Sequence, residues 1–361
     1  MELKEQNVLL FARTMELGGT ENVVLMLCEI LKPLVNNVVV CSCGGVNVAK
    51  LEEKGIKHYL IPDITNKRKL FSIAKSVKRI IKNEKITIVH THHRMAAFYI
   101  NLLGLSDKLI FINTAHNTFF DKKIMTKFAY KNCHIIACGN KVKNNLVSFY
   151  GIKDSNVTVI QNAIKPFDFV IEENELIKDE KTKGKMVIGN IGRISKQKGF
   201  EYFIEALPDV VKKYSNVHFF IVGTGEDEDK IKEEVKKLEM EDYVTFLGYV
   251  SNVQNLIAQL DFVVLSSLWE GLPLTPIEAF SVKKTIVATN VDGTVEIVNE
   301  RNGILVNPKD SKALSNAIIE MIEDPKRIDK ENNAYDTYIN NFSFSSYSAK
   351  IKEYYMKVIN E

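Results

Sequence analysis

The 361-residue chain is poor in cysteine, nearly balanced in charge and free of long apolar runs, and each shortage closes off a class of protein. Its five cysteines, Cys28, Cys41, Cys43, Cys133 and Cys138, are odd in number and lie mostly in apolar runs, where a thiol behaves as a small hydrophobe. A reducing, cytoplasmic setting follows better than a disulfide framework. Cys41 and Cys43 stand two apart with no second cysteine pair, which leaves a zinc site without its remaining ligands. Lys and Arg total 48 against 45 Asp and Glu, so the net charge of +3 is too small for nucleic-acid binding through overall charge, and cationic function has to be local. No apolar stretch reaches the about 18 residues that span a bilayer. Residues 1–7 are charged and polar, without the apolar core and cleavage site of a secretory signal, so a soluble or peripheral protein is expected. Short-period repeats and low-complexity tracts are also missing.

What is present is 45% hydrophobic residues in a chain too long for one ordinary core, which predicts two domains. In the first half, short β-rich runs at 8–12, 37–41, 57–61, 87–90, 109–114, 134–138 and 157–160 alternate with amphipathic stretches at 20–31, 70–82, 94–103 and 141–149. That is βαβ spacing, with crossover helices on a parallel sheet. Residues 172–185, EENELIKDEKTKGK, have almost no apolar content and read as a solvated linker or surface excursion. The alternation then restarts with strands at 186–190, 217–222, 244–246, 262–265, 285–288 and 303–306 and helices at 200–213 and 230–240, and Asp310 or Ser311 caps a helix running through Ile322. A last helix, 345–358, carries Ile351, Tyr354, Tyr355 and Val358 as an apolar stripe that has to dock. The expected α/β architecture is therefore an N-terminal Rossmann-like domain over 1–168, a linker over 169–185, a second such domain over 186–342 and a helix over 343–361 crossing back onto the first. Ligands of doubly wound units bind where strand order reverses, which places the site in the cleft between two facing domains.

Candidate chemistry gathers at strand ends. After the strand 186–190 comes Gly192-Arg193-Ile194-Ser195-Lys196-Gln197-Lys198-Gly199, a cationic turn opening a helix. Free N–H groups at a helix start, together with Arg193 and Lys198, suit a diphosphate; the bland alternative is a solvated basic loop. After the strand 262–265, Glu270-Gly271-Leu272-Pro273-Leu274-Thr275-Pro276-Ile277-Glu278 leads into another helix. There a first-turn carboxylate can accept from a ribose diol and the backbone N–H groups of Gly271 to Thr275 can bind phosphate or sugar hydroxyls. Gly223 and Gly225 lack the third glycine of a dinucleotide fingerprint, because Glu228 stands in its place, and the first βα turn offers only Gly18 and Gly19; a nicotinamide dehydrogenase is disfavoured.

In its ordered motifs the sequence resembles glycosyltransferase family 4, of retaining GT-B fold, over essentially the whole chain. The family's Glu-x7-Glu motif corresponds to Glu270 and Glu278, and its diphosphate-binding Arg and Lys to Arg193 and Lys198. The resemblance implies that Glu278 holds the donor ribose and Glu270 lies by the transferred sugar. It places Gly18 and Gly19 of Gly18-Gly19-Thr20-Glu21 against the donor phosphates and reacting sugar. It puts His116 of Thr114-Ala115-His116 on the donor sugar, and Gly223, Gly248 and Tyr249 around the nucleotide. Val291-Asp292-Gly293-Thr294-Val295-Glu296 resembles the family's Gly-x-x-Glu element. It departs from the family at Lys283-Lys284-Thr285, where Gly-x-Pro is common, so the motif helix has to end without a glycine at the left-handed position.

Two further features have competing readings. His90-Thr91-His92-His93 invites a metal site, but His93 points away from His90 and His92 on a strand and no carboxylate or cysteine accompanies them. The resemblance instead puts His92 or Arg94 on the acceptor side. The basic stretch Lys67 to Lys82 reads as a core-facing helix with a solvated cationic face, or as a helix docked on an anionic membrane surface. The activity implied is transfer of a hexose-type sugar from a nucleoside-diphosphate sugar, UDP-linked by preference and GDP-linked as the alternative. The acceptor is a hydroxyl of a glycan or lipid-linked glycan, in synthesis of capsule, lipopolysaccharide or other cell-surface polysaccharide, with no cofactor or metal required. An epimerase of the same fold and a non-catalytic assembly protein are the alternatives. No nucleic-acid partner is expected.

Overall fold

Continuous apolar runs such as Val8-Leu9-Leu10-Phe11, all fully buried, suit strands covered on both faces, which is the environment of a parallel sheet flanked by helices. The computed structural model describes residues 2–168 and 170–361. They form two units, one of residues 2–162 with 347–361 and the other of residues 163–346.

In the first unit the strands are β1 (Asn7–Phe11), β2 (Asn37–Ser42), β3 (Lys57–Leu60), β4 (Ile88–Thr91), β5 (Ile110–Ala115), β6 (His134–Ala137) and β7 (Val157–Val159). They pair in the order β3-β2-β1-β4-β5-β6-β7, parallel throughout. The second unit has β8 (Met186–Ile191), β9 (Val217–Val222), β10 (Val244–Gly248), β11 (Phe262–Leu265), β12 (Ile286–Thr289) and β13 (Gly303–Val306). Their order is β10-β9-β8-β11-β12-β13, again parallel. Strand order reverses between β1 and β4 and between β8 and β11, and in doubly wound units the crevice at the carboxyl ends of such strands is where ligands bind. The core of the second unit lies where helices Phe200–Lys213 and Ser311–Glu323 cover the sheet, with Phe203 set edge-on to Phe219 at 5.8 Å. Asp310 caps the second of these helices by accepting from Ala313 N–H at 2.8 Å.

Helix Phe344–Asn360 buries Ile351, Tyr354, Tyr355 and Val358, and the Tyr355 hydroxyl bonds His90 Nδ1 of β4 at 2.7 Å. Residues 172–185 are mostly exposed but have structure of their own. They contain helix Glu175–Thr182, capped by Asn174, which accepts from Ile177 N–H at 3.2 Å. Its one buried apolar residue, Ile177, and the ion pairs of Glu180 with Lys183 and Lys185, both 2.6 Å, hold a segment whose composition alone promised none of this. The basic helix Leu70–Asn83 turns Ile73, Val77, Ile80 and Ile81 into the core, so its apolar face is already occupied. No helix among the described residues is long and apolar enough to cross a membrane.

Candidate functional site

In the second unit, glycines let three strand ends converge. Gly223 has φ of +129°, and a Cβ there would stand 2.0 Å from Gly192 O, so only glycine permits the turn after β8 to lie on the end of β9. Gly223 N–H in turn donates to Gly248 O at 2.7 Å, tying in β10. From this crossing the turn runs through a short 3-10 segment, Lys196–Lys198, to Gly199 in the left-handed region and helix Phe200–Lys213. The turn is fastened to the loop after β11: Leu268 N–H donates to Gln197 O at 2.7 Å, and Ser266 Oγ donates to Lys198 O at 2.9 Å.

That fastening brings the two motifs together. Lys198 Nζ donates to Glu270 Oε1 at 2.6 Å, with the Glu270 side chain nearly buried. Ser267 Oγ donates to the same oxygen at 2.7 Å, and Gln197 Nε2 reaches Glu270 Oε2 at 3.4 Å and Trp269 O at 3.0 Å. The first carboxylate of the motif is thus fixed by three side chains.

Helix Leu274–Ser281 follows, with Pro276 in its first turn and Pro273 at the cap. Gly293 supports the loop from below, because a Cβ there would fall 2.0 Å from Gly271 O, and its N–H donates to Glu270 O at 3.3 Å. Glu278 is half-buried, and desolvation pushes its carboxyl up to about 7 against the pull of the Lys198 ammonium. Arg193 stands exposed, its Nε 3.0 Å from Glu226 Oε2, and Tyr249 is exposed at the end of β10. Two cations and one carboxylate poised near neutrality make a place for a diphosphate and for hydroxyl donors.

In the first unit a pocket of 190 Å³ is lined by Thr20, His92, Arg94, His116, Asn117 and Tyr130, among others. Gly18 and Gly19 open helix Gly19–Leu31 beside it, and Thr14 Oγ1 donates to Glu21 Oε1 at 2.5 Å in that first turn. His92 Nδ1 lies 3.3 Å from His116 Nε2 and its ring stacks on His90 at 4.5 Å. His90 spends both ring nitrogens on hydroxyls, Tyr355 and Thr114, each at 2.7 Å. His93 instead caps helix Arg94–Leu102 through Met95 N–H. Burial drives His90 to about 3, His93 and His116 to about 4 and His92 well below its ordinary value, so these rings are neutral at pH 7. No group of three or more His, Cys, Asp or Glu side chains among the described residues is placed to hold a metal. Arg94 pairs with Asp121 at 2.7 Å and covers the Phe119 ring at 5.1 Å.

Residues 17–166 match the family described as Glycosyltransferase Family 4, and residues 172–340 match Glycosyl transferases group 1. The chain belongs to glycosyltransferase family 4.

As a family 4 glycosyltransferase it has relatives that match over most of the chain. The UDP-Gal:alpha-D-GlcNAc-diphosphoundecaprenol alpha-1,3-galactosyltransferase of Escherichia coli is 24% identical over 95% of both chains. The phosphatidylinositol N-acetylglucosaminyltransferase GPI3 subunit of Saccharomyces cerevisiae is 26% identical over 78% of this chain and 67% of that one. Among solved structures, Anabaena HepE in complex with UDP superposes with a TM-score of 0.84 at 21% identity, covering 98% of this chain and 100% of that one. Within this candidate site of the family 4 chain, reading the sequence missed Gln197, Ser266, Ser267 and Glu226. The serine pair at the end of β11 was the available signal, since short polar side chains after a buried strand have backbone and carboxylate partners to satisfy.

Proposed function

We propose that this transferase moves a hexose-type sugar from a UDP-sugar to a hydroxyl of a lipid-linked glycan with retained anomeric configuration, in cell-surface polysaccharide synthesis at the inner face of the membrane. The observation that carries the donor part is the Lys198–Glu270 pair at 2.6 Å beside the half-buried Glu278. The UDP-Gal donor in the name of the Escherichia coli relative and the UDP bound by HepE favour UDP over GDP, and the diphosphoundecaprenol in the same relative's name favours a lipid-linked acceptor.

In this reading Lys198 and Arg193 bind the donor diphosphate, and Glu270 holds Lys198 in position next to the transferred sugar. Glu278 accepts from the ribose hydroxyls, and the loop from Gly271 to Thr275 offers backbone N–H groups. Gly223, Gly248 and Tyr249 line the nucleotide, while Gly18, Gly19 and neutral His116 face the sugar. His92 and Arg94 belong to the acceptor side. The bond from the anomeric carbon to the diphosphate oxygen breaks as the acceptor oxygen bonds that carbon from the same face. The acceptor proton passes to the departing phosphate. Negative charge grows on the leaving oxygens, where the two cations stabilise the transition state more than the ground state, and neither a metal nor a side-chain base is required.

Calorimetric titration with UDP, GDP, ADP and CMP, without added metal, tests the donor pocket. Micromolar binding of UDP that Lys198→Ala weakens about 10- to 150-fold is the expected result. Binding of none of the four, or undiminished binding by the variant, overturns the assignment.

A further inference from the structure

One surface of the first unit adjoins the pocket of His92, Arg94 and His116, with Phe119 lining that pocket as well. Phe119, Phe120, Ile124 and Phe128 are 48%, 72%, 87% and 40% exposed, although each is large and apolar. They fall on one loop and the short helix that follows it, Lys123–Ala129, so they form a local cluster rather than scattered singles.

The backbone that presents them is pinned. Asn145 accepts from Phe119 N–H at 3.2 Å and donates to Phe119 O at 2.9 Å, while Tyr150 OH donates to Asp121 O at 2.9 Å. Arg94 holds the Asp121 carboxylate at 2.7 Å. At the other end Asn101 Nδ2 donates to Ala129 O at 2.9 Å, so the segment is fastened at both ends with these side chains held outward.

Charge identifies what they meet. Between Asp107 and Asp154 the sequence has a single Asp or Glu, Asp121, and Arg94 neutralises it. Lys122, Lys123 and Lys127 are interleaved with the apolar residues, all exposed, and none forms an ion pair among the described residues. A protein partner with a matching acidic patch would leave an apolar centre to be filled by shape. A bilayer surface with anionic headgroups satisfies both features at once, since the acyl boundary takes Phe120 and Ile124 and the headgroups take the lysines.

We infer that residues 119–128 are the membrane-docking surface of this protein, inserting Phe120 and Ile124 into an anionic lipid interface. The basic helix Leu70–Asn83 is not that surface, because its apolar stripe faces the core. The inference builds on the lipid-linked acceptor proposed above, and it is tested without substrates, so its failure leaves the donor assignment standing.

The test is flotation of the full-length protein with vesicles of phosphatidylcholine alone and of phosphatidylcholine mixed with phosphatidylglycerol. Wild-type protein should float with the anionic vesicles and lose most of that binding at high salt. Ile124→Ser should lower partitioning roughly tenfold or more, the loss expected for one large aliphatic side chain. The triple variant Lys122→Ser, Lys123→Ser, Lys127→Ser should lower it about 100-fold, at about fivefold per cation. Both should keep the wild-type thermal midpoint. Phe71→Ser, on the basic helix, should bind as wild type. Failure of the wild type to float, wild-type binding by Ile124→Ser, or loss of binding in Phe71→Ser alone overturns the inference. So does sedimentation showing that the patch instead joins two copies of the chain, with a dimer that Ile124→Ser dissociates.

Discussion

Lys198 stands between two carboxylates of different character. It is bonded to Glu270 and only electrostatically felt by Glu278, whose proton is held by desolvation. A cation this enclosed is poorly screened, whereas Arg193 is exposed to solvent and salt. Lys198→Ala should therefore weaken UDP binding about 10- to 150-fold, the equivalent of roughly 1.5–3 kcal/mol for a charge-assisted bond. Arg193→Ala should fall at the low end of that span, and titrations of both variants against wild type decide the order. Glu278 makes a second prediction. Its carboxyl titrates at about 7 in the folded chain and near the ordinary value when unfolded, so the unfolded state releases the proton first. Stability then falls as pH rises from about 4.5 to about 7 and stays reduced above, by up to about 3 kcal/mol. Glu278→Gln should remove that part of the fall, seen as a widening gap between variant and wild-type thermal midpoints from pH 5 to pH 8.

At the scale of elements, helix Leu274–Ser281 ends where the departure from the family pattern lies. Lys283 takes φ of +59°, the left-handed position that glycine occupies without strain, and its ammonium sits 4.9 Å over the Tyr335 ring. Lys283→Gly should raise stability by about 0.5–1 kcal/mol, relief of backbone strain exceeding the exposed cation–π contact and the added freedom of the unfolded chain. Thermal denaturation of the variant reads this directly, and a fall in midpoint would show the ring contact to dominate. Helix Phe200–Lys213 and the strand ends carrying the motifs were legible in the sequence because local apolar period and glycine placement set them. Helices Glu175–Thr182 and Arg327–Thr337 were not: the first buries only Ile177 and the second only Ala334, too little to mark a face. The partner Gln197 of Glu270 escaped for another reason. Gln197 lies 73 residues away along the chain, and such pairings exist only once the sheet has set two loops side by side.

For the molecule as a whole, the two units carry opposite responses to acid. His90, His92, His93 and His116 in the first unit are held neutral by burial, so on acidification the unfolded chain takes up protons that the folded unit refuses. Stability contributed by these rings is present above about pH 6.5 and is lost as pH falls below it. For a ring titrating at about 4, such as His116, the loss at pH 5 is roughly 2 kcal/mol. In the second unit Glu278 and Glu331, both raised by burial, act in the reverse sense and gain from retaining their protons at pH 5, against one buried imidazole, His218, which burial lowers. Lowering the pH from 7 to 5 should therefore drop the melting midpoint of the first unit while the second holds or rises. Calorimetry should then show two transitions separating at pH 5. Hydrogen exchange should assign the earlier one to β1, β4 and β5, the strands around the imidazoles, together with helix Phe344–Asn360, whose Tyr355 hydroxyl is bonded to His90. If the strands of the second unit open first at pH 5, the buried imidazoles do not govern acid stability.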